Sequence, residues 1–156
     1  MAGNDYWGNC GTAHLTCMNA LVAGESTEAI IGAFYEVYNT LGFGFLEHIY
    51  VMALERELIA RGHHVAREVG VRVMYKGEEL ATQRLDMIVD GKVIVETKST
   101  LDLHKAARRQ VYNYLNATNL EVGLLLHFGP VATFYRAFRS SPKKKSAESA
   151  KSAESV

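Results

Sequence analysis

Apolar positions repeat with a helical period in two early stretches. Thr27 is placed to cap a helix from Glu28 to about Leu41, with Ile30, Phe34, Val37, Tyr38 and Leu41 along its buried stripe and Gly42 ending it. After the short Gly42-Phe43-Gly44 connection, a second helix is expected from about Phe45 to Arg61. Its apolar face is Leu46, Ile49, Tyr50, Ala53, Leu54 and Leu58, and Gly62 stops it. Beyond Gly62 the period shortens to that of strands. His64 to Val69 and Val71 to Tyr75 read as strands, and Lys76-Gly77-Glu78 as a turn. Asp102 is placed to cap a third helix, Leu103 to about Asn116, whose apolar side holds Leu103, Ala107, Val111 and Tyr114 with Gln110 on its rim. Val122 to Phe128 is continuously apolar, as a strand buried on both faces would be, and Gly129-Pro130 turns the chain into Val131 to Phe138.

Between the second and third helices lies the most informative stretch, RLDMIVDGKVIVETK, residues 84–98. Asp90-Gly91 between Leu85–Val89 and Lys92–Val95 is a hairpin signal, because both residues tolerate positive φ. Asp86, Glu96 and Lys98 interrupt this apolar hairpin, and charge in a core strand is costly unless it is paired or binds metal. Glu96 and Lys98 share a face. A three-residue loop puts Asp86 on that face too, directly opposite Glu96 for loop 90–92 and one diagonal away for loop 89–91. A two-residue loop puts it on the other face. We expect the three-residue loop, a type I turn with Gly91 in the left-handed position of a bulge. Two carboxylates and an ammonium on one face then make a site for a hard cation.

Composition narrows the setting. With 156 residues, 48% apolar and 22% charged, a single domain is expected, with residues 1–24 a loosely ordered extension, 25–139 the folded unit and 140–156 a disordered Lys/Ser-rich tail in which KSAES occurs twice. Formal net charge is zero, yet no Lys or Arg precedes Arg56 while Asp5, Glu25, Glu28, Glu36, Glu47 and Glu55 do. The later part of the chain is therefore basic enough to face a polyanion. No apolar run is long enough to span a membrane, and the start lacks the features of a signal or transit peptide, so a cytoplasmic location is expected. Cys10, His14 and Cys17 offer three metal ligands without a fourth, and incidental cysteines are the better account. Lys105, Arg108 and Arg109 read either as a solvated helix face or as contacts to phosphate.

An Asp on one core strand and Glu-x-Lys on the next resembles the signature of the PD-(D/E)XK nuclease superfamily. GFLEHIY, 44–50, is similar to the motif that names the GxxExxY family, with Gly44, Glu47 and Tyr50 in place. Gln110 and Tyr114 match the QxxxY element on the helix after Glu-x-Lys in many exonuclease-like members, and 113–129 reads like the same family. The resemblance covers about 27–138. It implies an α/β restriction-endonuclease-like core, with helices flanking a central mixed sheet, and metal-dependent hydrolysis of nucleic-acid phosphodiesters. In that reading Asp86, Glu96, the Thr97 carbonyl and Glu47 would hold Mg2+ or Mn2+, and Lys98 would position or deprotonate water and stabilise charge. Gln110 would support the site, while Tyr114, Lys105, Arg108 and Arg109 would contact substrate. The alternatives are a catalytically silent binding or interaction module retaining the fold, and a purely structural salt-bridge cluster. An exposed apolar helix face would allow a homo-oligomer.

Overall fold

The computed structural model describes residues 13–139, with side chains described from residue 24. Cys10 and the tail from Ser140, including Lys143–Lys145, lie outside the described residues. So do the side chains of His14 and Cys17. The elements are α1 (Ala13–Leu41), α2 (Glu47–Ala60), β1 (Val65–Tyr75), β2 (Glu78–Val89), β3 (Val93–Lys98), α3 (Lys105–Thr118), β4 (Val122–Phe128) and β5 (Ala132–Phe138). The strands form one sheet in the order β1-β2-β3-β4-β5. Neighbours are antiparallel except β3 and β4, which run parallel with α3 as their crossover. A parallel pair needs such a crossover, and it forces one helix onto a face of the sheet.

Two cores result, one per face. Ile30, Phe34 and Val37 of α1 and Tyr50, Leu54 and Leu58 of α2 pack on Met87, Val93, Val95 and Leu124. Ala107, Val111 and Leu115 of α3 pack on Leu85, Ile94 and Leu125. β4 is buried along its whole length because both faces are covered, as its unbroken apolar run predicts. Close docking of α3 depends on Gly123, where a Cβ would stand 2.5 Å from Val111 Cγ1.

Element boundaries differ from expectation in four places. Thr27 does not cap a helix; α1 already runs from Ala13, so residues 13–24 are helical, and the Thr27 hydroxyl donates to the Gly24 carbonyl at 2.8 Å. A Ser or Thr hydroxyl can bond back to the preceding turn as readily as cap a new one, so the local signal is ambiguous. The second helix begins at Glu47, not Phe45, because Gly44 has φ 110° and Leu46 is extended. The third is capped by His104, whose Nδ1 accepts from the Ala106 amide, instead of by Asp102. It continues to Thr118 and ends on left-handed Asn119. Finally, β1 is one strand through Gly70, with a positive φ of 52° at Glu68 and its register shift between Val73 and Met74.

Candidate active site

The hairpin register is set at its turn. Val89 pairs with Val93, Ile88 with Ile94 and Met87 with Val95, which leaves residues 90–92 as a three-residue loop. Continuing the same register sets Asp86 opposite Glu96, as the odd loop requires. The turn itself differs from the expected type I. Asp90 and Gly91 both have positive φ, 53° and 65°, as in a primed turn. Asp90 tolerates this because its carboxylate is held from three sides: His63 Nδ1 at 2.8 Å, the His64 amide at 2.9 Å and the Ser26 hydroxyl at 3.3 Å. Although burial works the other way, these contacts keep its carboxyl below the ordinary range.

Asp86 sits where the β1–β2 hairpin changes sides. Val65, Met87 and Val89 belong to the core under α1 and α2, whereas Val69, Val71 and Leu85 belong to the core under α3. The odd positions of both strands thus switch faces across the Glu68–Asp86 step. There Glu68 takes its positive φ and the ladder between Arg67–Met87 and Val69–Leu85 is interrupted. An irregularity of this kind re-aims a side chain. Asp86 Oδ2 accepts the Thr97 amide at 2.7 Å, which fixes the carboxylate beside β3.

On β3, Glu96 is 3% exposed. Its Oε1 accepts from Lys98 Nζ at 2.8 Å, while Oε2 is buried and has no hydrogen-bond partner among the described residues. Burial, reinforced by the charges of Asp86 and Glu47 and opposed by Lys98, pushes the Glu96 carboxyl up to about 7. Asp86 is raised as well, by burial, against the Thr97 amide and Lys98. Burial disfavours the Lys98 ammonium, but the Glu96 hydrogen bond and the charges of Glu96, Glu47 and Asp86 outweigh it and hold Lys98 above its ordinary value.

Glu47 approaches from α2. Its Oε1 lies 3.7 Å from Lys98 Nζ, and it occupies the first turn, where the helix dipole favours a carboxylate. The preceding loop is pinned. Fully buried Tyr50 donates its hydroxyl to the Gly42 carbonyl at 2.8 Å, accepts the Phe45 amide at 3.2 Å, and stacks on Phe128 with centroids 4.2 Å apart. The Ser99 hydroxyl donates to the Phe45 carbonyl at 2.6 Å, tying this loop to the end of β3. The glycine, glutamate and tyrosine of GFLEHIY therefore act as one device: a backbone turn, the carboxylate it presents and the clasp that holds it.

From α3, Gln110 Nε2 donates to the Tyr114 oxygen at 2.8 Å, and the Tyr114 hydroxyl donates to the Arg84 carbonyl at 3.3 Å. Tyr114 is buried and braces β2 just ahead of Asp86, while Gln110 lines the cleft that holds Lys98. Of the basic residues on α3, only Arg109 lines that cleft of about 520 Å³. Arg108 lies over the Tyr135 ring at 3.9 Å, and Lys105 is exposed at the start of the helix.

The sequence reading missed three supports. They are Ser99, the Tyr50 hydroxyl, and buried His127, which donates through Nε2 to the Thr100 carbonyl at 2.8 Å and so anchors the loop after β3. Each works through a backbone carbonyl outside its own turn or strand, which side-chain spacing does not reveal.

The fit to a divalent cation rests on Glu96 Oε2, a buried and unpartnered carboxylate oxygen in a strand opposite a second carboxylate. Such a pair repels itself without a cation. The expected third acid does not join it. Among the described residues no three acid, histidine or cysteine side chains converge closely enough to hold a metal ion, and Glu47 stands instead beside Lys98.

A five-stranded mixed sheet with helices on both faces, carrying an acid on one strand and Glu-x-Lys on the next, defines an α/β nuclease-like core. The family model of the PD-(D/E)XK nuclease superfamily matches residues 24–138, and the chain belongs to that superfamily. Among solved structures it is similar to one titled "Crystal structure of SSO0001", with 21% identity and a TM-score of 0.49. The match covers 78% of this chain and 62% of that one. No curated protein sequence matches this chain. Among the described residues no helix is long and apolar enough to cross a membrane.

Proposed function

We propose that this chain hydrolyses phosphodiester bonds of nucleic acid at Asp86, Glu96 and Lys98, with Mg2+ or Mn2+ held by the two carboxylates and the Thr97 carbonyl. The observation that carries this reading is the buried, unpartnered Glu96 Oε2 opposite Asp86. When bound, the cation supplies Lewis acidity and a more acidic water. Lys98 offers a fixed positive charge and N–H donors where negative charge grows on the phosphoryl oxygens. Glu47 holds the Lys98 ammonium in place from the α2 side. Gln110 and Tyr114 are positioning residues, since they fix the strand that presents Asp86.

A second reading has its own observation. Glu47 does not complete a three-acid cluster, and Lys98 is engaged by Glu96 and Glu47. This favours a nucleic-acid-binding or protein-interaction module that keeps the fold without cutting. The deciding experiment is cleavage of labelled single- and double-stranded DNA and RNA with Mg2+, Mn2+ or EDTA, with Asp86→Ala and Lys98→Ala run beside the native chain. Cutting that needs the cation and is lost in both variants supports the enzyme. A folded protein that neither binds Mn2+ nor cuts leaves the module.

A further inference from the structure

The cleft beside Lys98 does not end at α3's first turns. It is lined by Lys98, His104, Arg109, Gln83 and Asn113, and a second cleft of about 450 Å³ continues from the same Gln83 and Asn113. That second cleft lies between α3 and the β1–β2 hairpin and reaches Arg72, Met74 and Asn116. Together they form one groove, from the catalytic strand along α3 to the hairpin.

Among the described residues the groove's arginines are free, where several others are engaged. Arg61, Arg67 and Arg84 are each paired with a glutamate, and Arg108 covers a tyrosine ring. Arg72 and Arg109 line the groove, and among the described residues neither side chain has an ion pair, hydrogen bond or ring contact. Both are exposed. They extend the groove from Lys98, which Glu96 and Glu47 already engage, and Asp102 is the one acid among the groove's lining residues. Gln83, Asn113 and Asn116 add amide donors and acceptors between the charges.

We propose that a single nucleic-acid strand lies in this groove, its phosphates on Arg109 and Arg72. Resting on the function proposed above, its scissile phosphodiester then reaches Lys98. A trough between one helix and one hairpin, with its free arginines along one line, suits a single sugar–phosphate chain rather than the two backbones of a duplex.

The test separates binding from cutting. Fluorescence anisotropy in EDTA would compare labelled single-stranded DNA, single-stranded RNA and duplex DNA of one length and sequence, using the whole chain. Single strands should bind more tightly than duplex. Arg72→Ala and Arg109→Ala should each weaken single-strand binding by about threefold to tenfold at about 0.1 M salt, and flatten the salt dependence by about 0.7 in logarithmic slope. Arg56→Ala, on the groove between α1 and α2, should bind as the native chain does. Unchanged binding in both groove variants, or a duplex bound as tightly as the single strand, overturns the proposal. Binding that follows this pattern in a chain that never cuts sinks the hydrolytic reading and leaves the groove standing. Cutting that persists with unchanged affinity in both variants does the reverse.

Discussion

Lys98 donates to Glu96 at 2.8 Å across two positions of one strand, and this single contact leaves the other Glu96 oxygen buried and bare. The pair thus covers one carboxylate of the site incompletely, and the consequence is a pH dependence with a definite sign. Glu96 titrates near 7 in the folded chain, above its ordinary 4.5. A raised acid contributes stability below its unfolded value and loses it as pH rises through the folded value. Without cations the chain should therefore lose on the order of 2–3 kcal/mol between about pH 5 and 8. Asp86 is shifted in the same direction, while the stabilising contacts of Asp90 fade only in more acidic solution. Urea unfolding in EDTA should show Glu96→Gln gaining on the native chain across that range. A constant difference would refute the buried-carboxylate account.

Adding Mg2+ or Mn2+ at pH 8 should raise the melting temperature of the native chain, since a ligand bound only by the folded state stabilises it. Asp86→Asn should abolish that rise and leave the cation-free protein no less stable, because the amide oxygen can still accept from the Thr97 N–H. A lower cation-free melting temperature, with no response to Mg2+ in either protein, would mean that Asp86 and its neighbours are a structural ion cluster.

Tyr50→Phe removes one hydroxyl and leaves the ring stacked on Phe128. The Gly42 carbonyl and Phe45 amide lose their partner, at a cost of about 1–2 kcal/mol by denaturant unfolding. Because the same loop presents Glu47, any hydrolytic rate should fall with little change in single-strand affinity. Equal losses in both would place Tyr50 in substrate binding instead.

Gly123→Ala should destabilise the fold by about 1–3 kcal/mol, since the added carbon meets Val111 Cγ1 at 2.5 Å and either α3 or β4 must shift. Combining it with Val111→Ala should restore much of that loss, which a thermal-melt double-mutant cycle reads directly.

The hydrophobic periods along the chain foretell three helices, the succession of helices and strands, and the doubly buried β4, because long apolar patterns report on burial. Helix ends are less legible. Thr27 and Asp102 have the chemistry of caps, but Thr27 bonds within a longer helix and His104 takes the place of Asp102. The odd hairpin loop follows from the need to bring Asp86 to Glu96, whereas its turn geometry depends on His63 and Ser26, distant in sequence from Asp90. The site acids and Lys98 were readable as charges out of place in greasy strands. That Glu47 would meet Lys98 and not the acid pair depends on packing of α2 against β3, which spacing does not encode.

β2 outruns its neighbour. Only Met87, Ile88 and Val89 pair with β3, so the hairpin beyond Leu85 is a two-stranded ribbon with no third strand beside it. Ribbons of this kind are marginal in isolation. Amide protons from Arg72 to Gln83 should exchange with solvent by local opening, while those of β3 and β4 wait for the whole domain to unfold. One wall of the groove therefore belongs to the part of the sheet expected to open first, while Asp86 directly adjoins the stretch of β2 that β3 still flanks.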